Sequence, residues 1–336
     1  MTDAPATPAK ELTAKDFKSD QEVRWCPGCG DYSILANFQR TMPTLGIPLE
    51  KHVVVGGIGC SSRFPYYMST YGVHSIHGRA PAVATGIKAS RPDLTVWVIT
   101  GDGDGMSIGG NQMLHALRRN IDIKVLLFNN RIYGLTKGQY SPTSEQGKVT
   151  KSTPMGSIDY PVDPVRFALM AGATFVARTI DVDAVHFQSV LKRAAEHKGS
   201  AFIEILQNCP IYNDDAFIEL SDKKQRPEHG IYLENGKPLV FGEAKDKTVR
   251  FTDKFELEVA PLSEGGALVH DETSPVVPEL IAKLEPPKFP RPLGVFRAIE
   301  RPSYDQLLSD QVAAARAKGK GRTLQALLES GETWRV

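Results

Sequence analysis

Four cysteines, two aspartates set among glycines and a pair of asparagines carry most of the chemistry open to this sequence. Cys26-Pro-Gly-Cys29 is a C-x-x-C knuckle, with Cys60 and Cys209 elsewhere in the chain. The knuckle suits a zinc site, an iron–sulfur cluster or a thioredoxin-like redox pair. The redox reading fits poorly, since that motif follows a strand directly and the segment before Cys26 is polar. Zinc and iron–sulfur both accept four thiolates, and the residues alone leave the two open. The aspartates lie in GDGDGMSIGGNQ (101–112), whose glycines let backbone approach a ligand and lead into a helix start that favours anions. Asp102 and Asp104 would repel a bare pyrophosphate, so a divalent cation between carboxylate and phosphate is the sensible arrangement. Asn130, at the end of the next apolar run, offers a second oxygen donor. Dinucleotide loops are excluded: the third glycine is replaced by Met106 in one candidate and Ser62 in the other, and no P-loop occurs.

The elements that must carry these residues are legible in the hydrophobic pattern. Five short apolar, β-rich runs occur at 52–59, 94–100, 123–130, 174–180 and 201–206. Helical periodicity marks Tyr32–Thr41, Ala80–Ala89, Asn111–Arg119, Pro164–Ala171 and Ala184–His197. Continuous apolar strands alternating with helices predict an α/β fold with a doubly wound, mostly parallel sheet over residues 21–215. Cys60, Asp102, Asn129–Asn130 and Cys209 each follow a predicted strand, the rim where open α/β sheets bind ligands.

Residues 1–20 read as a polar, flexible N-terminal arm, and 216–336 as a C-terminal extension that packs on the core or on a partner subunit. Within the extension, Asn235-Gly236 between short apolar stretches predicts a β-hairpin across Gly230–Phe241. Phe255, Leu257 and Val259 alternate as in a half-exposed strand. The proline-rich Pro286–Pro302 reads as a surface strap, and one or two helices are expected from Ser303 onward. The net charge of +1 over 336 residues gives no reason to expect nucleic acid, and no apolar run is long enough to span a bilayer. The opening residues lack the layout of a secretory leader, so a cytoplasmic location is expected.

The GDG at 101–103 followed by NN at 129–130 resembles the thiamine-diphosphate motif. By that resemblance Asp102 and Asn130 ligate Mg²⁺ through side chains and Ile132 through its backbone carbonyl. WCPGCGDYSIL (25–35), GIGCSS (57–62) and NCPIYND (208–214), with the thiamine motif between them, look like the β subunit of the 2-oxoacid:ferredoxin oxidoreductases. The resemblance implies the diphosphate-binding half of the thiamine fold and a [4Fe–4S] cluster on Cys26, Cys29, Cys60 and Cys209. It further implies cofactor contacts from Gly59, Ser61, Ser62, Gly101, Asp102, Gly103, Asp104, Asn130, Ile132, Gly134 and Leu135. HGRAPAVATGIK (77–88) resembles the segment that helps position the cofactor, with His77 either in that role or simply hydrogen-bonded in a loop; Gly78 and Arg79 carry less weight.

NNRIYGLTKGQYSPTS (129–144) looks like the members acting on 2-oxoglutarate, for which Lys137 and Thr136 would hold the distal carboxylate; Arg131 and Gln139 are further candidates. The expected reaction joins 2-oxoglutarate, coenzyme A and oxidised ferredoxin to give succinyl-CoA, CO₂ and reduced ferredoxin, or runs in reverse. An α subunit would supply the pyrimidine-binding half, in an (αβ)₂ assembly. The same chemistry on pyruvate or another 2-oxoacid, a thiamine decarboxylase without a cluster, and a zinc-stabilised scaffold without catalysis are the competing readings.

Overall fold

The computed structural model describes residues 11–319 and 323–334. Its main sheet has eight strands: β1 (His52–Gly56), β2 (Tyr71–His74), β3 (Thr95–Gly101), β4 (Ile123–Asn129), β5 (Phe175–Ile180), β6 (Ala201–Leu206), β7 (Gly230–Tyr232) and, near the C-terminal end, the strand Arg291–Ala298. A second, antiparallel sheet comprises β8 (Val240–Phe241), β9 (Lys247–Phe251) and β10 (Leu257–Pro261), which makes Arg291–Ala298 β11. Spatial order in the main sheet is β2-β1-β3-β4-β6-β5-β11-β7. All neighbours are parallel except β5 and β11.

The helices are α1 (Asp31–Thr41), α2 (Ala80–Ser90), α3 (Asp102–Met106), α4 (Gly110–Arg118), α5 (Pro164–Met170) and α6 (Ala184–Glu196), then α7 (Ile218–Ser221), α8 (Arg226–His229), α9 (Val277–Ile281), α10 (Tyr304–Lys318) and α11 (Leu324–Leu328). Alternation along the strands gives the sheet two buried faces. Val96, Val98, Val125 and Leu127 face one core with α2 and α4. Trp97, Ile99, Leu126 and Phe128 face the other, with Ile34 and Phe38 of α1 and Phe187, Val190 and Leu191 of α6. α6 shows the local logic: Asp183 caps it by accepting from His186 N–H at 3.1 Å, and Phe187, Val190, Leu191 and Ala194 form one buried stripe.

The five predicted strands and their helices are present, and the fold is the predicted doubly wound one. A further strand, β2, adds to the sheet edge, where the hydrophobic pattern predicts none, and the other differences lie toward the two ends of the chain. Residues 1–10 of the expected arm fall outside the described residues. Its second half is tied down: Phe17 is fully buried, its carbonyl accepts from Ser69 N–H at 2.9 Å, and Lys18 bridges to Met68. The expected surface strap contains β11, buried along nearly its whole length between β5 and β7. Its prolines mark the entry to the strand, and Leu293, Val295 and Phe296 supply the apolar surface that draws it inside.

The expected hairpin is also replaced. Asn235-Gly236 does turn, with Lys237 N–H donating to Glu234 O at 3.0 Å, but the flanks diverge. β7 joins β11, far along the chain, in parallel, while β8 pairs with β9, the next strand in sequence. Leu257 and Val259 do lie in a part-exposed strand, β10, whereas Phe255 sits in the preceding turn with φ +60° and is exposed. Among the described residues no helix is long and apolar enough to cross a membrane.

Candidate active site

Strand order decides what meets at the carboxyl rim. β1, β3, β4 and β6 are consecutive neighbours, so the loops that follow them converge. Between these loops lies a cavity of about 470 Å³. Gly59, Cys60 and Ser61 enter from the loop after β1, His77 from the loop after β2, and Gly101 to Asp104 from the end of β3 and α3. Asn130, Ile132, Gly134, Leu135, Thr136 and Gln139 enter from the loop after β4. Ser62 is fully buried beneath the wall, its hydroxyl 3.5 Å from Ile99 O.

The two aspartates have different fates. Asp104 is spent inside the protein: Oδ1 accepts from Gly78 N–H at 2.7 Å and Oδ2 from Thr100 Oγ1 at 2.8 Å. It fastens the His77 loop to the end of β3, where Gly78 has φ +67° and packs so closely on Gly109 that no side chain fits. Both Asp104 oxygens thus already have donors, which sets it apart from Asp102. Asp102 is buried, and burial pushes its carboxyl up to about 6. Its Oδ2 accepts from Ser141 Oγ at 2.5 Å and Thr143 Oγ1 at 2.6 Å, which among the described residues leaves Oδ1 without a side-chain partner. A cation would relieve the desolvation cost, so this carboxylate fits a Mg²⁺ ligand. Asn130 Oδ1 accepts from Ile132 N–H at 3.2 Å, an Asx turn that brings the amide and the Ile132 backbone together on the cavity wall.

The cysteine loops meet on the same side. Trp25 Nε1 donates to Cys60 O at 2.7 Å, tying the knuckle to the loop after β1. The loop after β4 passes beside the sulfurs: a Cβ on Gly134 would lie 3.5 Å from Cys60 Sγ and 3.6 Å from Cys209 Sγ, ordinary contact distances. Gln207 Nε2 donates to Cys29 Sγ at 3.2 Å, and all four cysteines are free thiols. Burial pushes Cys60 up to about 12 and Cys29 higher, with the nearby Asp31 carboxylate next in weight. Such thiols are poor nucleophiles, which counts against a redox pair; positively charged iron would hold them as thiolates. Among the described residues no three His, Cys, Asp or Glu side chains converge on a single ion. The thiols of Cys26, Cys29, Cys60 and Cys209 are near enough to one another to interact electrostatically, a set of soft donors that suits either a [4Fe–4S] cluster or zinc.

Other predicted residues point away. Lys137 has φ +76° and lines a separate surface hollow with Lys151, Ile211 and Tyr212, so it does not join Thr136 in the cavity. Thr136 Oγ1 instead donates to Gln139 Oε1 at 2.5 Å. Arg131 stacks on Phe217 at 4.5 Å. His77 is exposed at the cavity wall and makes no hydrogen bond among the described residues.

Several residues escaped sequence reasoning. Ser141 and Thr143 were signalled only by the run of hydroxyls after the asparagine pair. Asp31, two positions beyond Cys29, is buried in the cavity wall and pushed up to about 7 by burial and then by Asp181. A second cavity of about 500 Å³ shares Ile58, Gly59 and Leu135 with the first and is lined by Arg24, Arg63, Tyr66 and His74.

Residues 57–205 match the family described as thiamine pyrophosphate enzyme, C-terminal TPP binding domain. The chain is 54% identical to the 2-oxoglutarate oxidoreductase subunit KorB of Mycobacterium tuberculosis, over 96% of this chain and 88% of that protein. It is 41% identical to the 2-oxoglutarate synthase subunit KorB of Methanocaldococcus jannaschii, over 67% of this chain and 84% of the relative. In three dimensions it is similar, at a TM-score of 0.79 and 32% identity over 96% of this chain and 97% of the other, to a chain of the 2-oxoglutarate:ferredoxin oxidoreductase from Magnetococcus marinus, solved with 2-oxoglutarate, coenzyme A and succinyl-CoA bound. The rim of strand ends, the thiamine-type loops and these likenesses agree: the chain belongs to the KorB family, the β subunits of the 2-oxoacid:ferredoxin oxidoreductases.

Proposed function

We propose that this chain binds the diphosphate end of thiamine diphosphate and a [4Fe–4S] cluster within a CoA-linked 2-oxoglutarate:ferredoxin oxidoreductase. The observation that carries the reading is the convergence, around one cavity, of the Cys60, Asp102, Asn130 and Gly134 loops. Asp102, Asn130 and the Ile132 carbonyl would hold Mg²⁺, and Cys26, Cys29, Cys60 and Cys209 the cluster. When bound, thiamine diphosphate supplies the carbon nucleophile that decarboxylates a 2-oxoacid, and the cluster supplies a one-electron acceptor beside it.

The chain's own residues orient and enclose. Tyr133 OH donates to Gly103 O at 3.1 Å and closes the wall over the Asp102 loop. Gly134 lines the cavity and lies beside Cys60 Sγ and Cys209 Sγ, so the loop after β4 would touch both the cofactor and the cluster. A distal carboxylate needs a cation, and with Lys137 turned outward the adjoining cavity supplies one. Arg24 there is exposed and offset by Glu22, whereas Arg63 is anchored by donation from Nε to Tyr67 OH at 3.2 Å. Arg63 is therefore assigned the distal carboxylate of 2-oxoglutarate.

An α subunit would contribute the pyrimidine-binding half and most coenzyme A contacts, in a cytoplasmic (αβ)₂ enzyme that reduces ferredoxin or runs in reverse. The test is anaerobic co-purification with the α partner, viologen reduction on 2-oxoglutarate against pyruvate, and iron and acid-labile sulfide on the same sample. Activity with 2-oxoglutarate, about four irons per chain as a [4Fe–4S] cluster requires, and no turnover by the isolated chain are expected. Zinc in place of iron with no viologen reduction would overturn the reading. Activity confined to another 2-oxoacid would keep the chemistry and remove the Arg63 assignment.

A further inference from the structure

Two strands expected to be purely apolar each carry one buried charge: Arg178 in β5 and Glu204 in β6. They are direct partners in the parallel register, and Arg178 Nε donates to Glu204 Oε2 at 2.5 Å. The pair does not end there. Glu204 Oε1 accepts from Asn129 Nδ2 at 2.6 Å, on the next strand, β4. That bond fixes which way round the Asn129 amide stands, so its Oδ1 is turned to Thr143 Oγ1 at 2.9 Å. Thr143 Oγ1 is also 2.6 Å from Asp102 Oδ2, beyond the end of β3. Its hydroxyl has one proton to share between these two acceptors, and Ser141 Oγ, which also holds Asp102 Oδ2, lies 3.2 Å away. On the far side, Arg178 Nη2 reaches Asp163 Oδ2 at 3.3 Å, and Asp163 caps α5 through Arg166 N–H at 2.8 Å. The contacts cross the sheet in its own strand order, β3, β4, β6, β5, and buried Arg291 of β11 stands next in line.

Stability does not account for this arrangement. Arg178 and Glu204 are 1% and 2% exposed, and buried ion pairs are often no better than apolar residues of the same volume. Among the described residues, Arg178 Nη1 and Arg291 Nε are buried without a hydrogen-bond partner, which adds a cost. What such a network provides is a fixed position for whatever stands at its end, and at this end stands Asp102.

We infer that Arg178, Glu204, Asn129 and Thr143 form a positioning relay that holds the Asp102 carboxylate oriented for the Mg²⁺ of thiamine diphosphate. The inference rests on the Asp102 reading proposed above. Groups behind a metal ligand commonly change metal affinity about 10–100-fold when removed.

The test uses the complex with the α subunit, stripped of metal and cofactor, then titrated with Mn²⁺ in saturating thiamine diphosphate while free Mn²⁺ is followed by electron paramagnetic resonance. Thr143→Val, which removes only the hydroxyl, should weaken Mn²⁺ binding about tenfold or more, and Thr143→Ser should restore most of it. Glu204→Gln should shift affinity the same way with an intact threonine. Thr143→Val binding as wild type overturns the relay, as does Thr143→Ser failing as badly as Thr143→Val. So does a lowered melting temperature of the metal-free variants with unchanged Mn²⁺ affinity, the mark of a merely structural role. If the wild-type complex does not retain Mn²⁺ with thiamine diphosphate, the Asp102 reading falls and the relay with it.

Discussion

Asp102 and Asp104 stand two residues apart in one glycine-rich turn, yet they do different work. Asp104 is answered by Gly78 N–H and Thr100 and serves as a clamp; Asp102, among the described residues, keeps one oxygen without a side-chain partner in a buried wall. The same contrast separates the cations. Lys137 has the right charge in a suggestive loop, but its backbone turns it toward Lys151 and Tyr212. Arg63 lines the cavity that adjoins the thiamine-type loops. An Arg–carboxylate contact shielded from water is worth roughly 1.5–3 kcal/mol, about ten- to a hundredfold in affinity. Arg63→Ala should therefore raise KM for 2-oxoglutarate by about that factor and affect a monocarboxylic 2-oxoacid much less, while Lys137→Ala should change neither by more than about twofold. Steady-state kinetics on both substrates decide it: the opposite pattern would return the carboxylate to Lys137.

At the scale of elements, the sheet's first pairing contains a titratable lock. His52 opens β1, is fully buried, and accepts from Trp97 Nε1 of β3 at 3.2 Å through Nδ1. Burial depresses it to about 4 from an ordinary 6.5, so it is neutral in the folded chain. The sign follows. Above pH 6.5 neither state binds the proton, and stability is undiminished. As pH falls from 6.5 toward 4 the unfolded chain takes up a proton that the folded one refuses, so stability drops by about 2 kcal/mol by pH 5. His197, also pushed down to about 4 by burial, adds to the same trend. The carboxyls of Asp31, Asp102 and Asp181, pushed up by burial, work in the opposite sense over this range, so the His52 share is read as a difference. Between pH 7.5 and pH 5 in urea unfolding, His52→Gln, which retains an acceptor for Trp97, should lose about 2 kcal/mol less than the wild type. An equal loss in the variant would clear His52 of the effect.

For the whole molecule, the C-terminal extension completes the main sheet through β7 and β11. β11 lies between β5 and β7, and Leu293, Val295 and Phe296 are buried in three different apolar clusters. Burying three such side chains contributes about 6 kcal/mol, comparable to the net stability of a domain. A chain truncated before Pro290 should therefore be recovered largely insoluble or without a cooperative thermal transition. A truncated chain that is soluble and melts near the full-length temperature would show that β11 is dispensable. α10 beyond it is mostly exposed, with Leu307 and Val312 uncovered, so removing residues after Glu300 should be far milder.

The sequence by itself determined the layered parallel sheet, because apolar periodicity and turn residues act over a few neighbours and those neighbours are adjacent in the chain. It also marked the strand ends that bear Cys60, Asp102, Asn130 and Cys209, since a residue that closes a parallel strand has nowhere to go but the rim. Tertiary structure alone decided the rest. Asp104 became a clamp because Gly78 and Thr100 arrive from other elements. Lys137 left the site because a left-handed backbone residue reverses the loop. Arg178 and Glu204 became a relay because parallel register sets them side by side. β11 became a buried strand because its partners, β5 and β7, lie far from it in sequence. Each of these outcomes depends on which distant group a side chain or strand meets, and that is fixed only when the sheet closes.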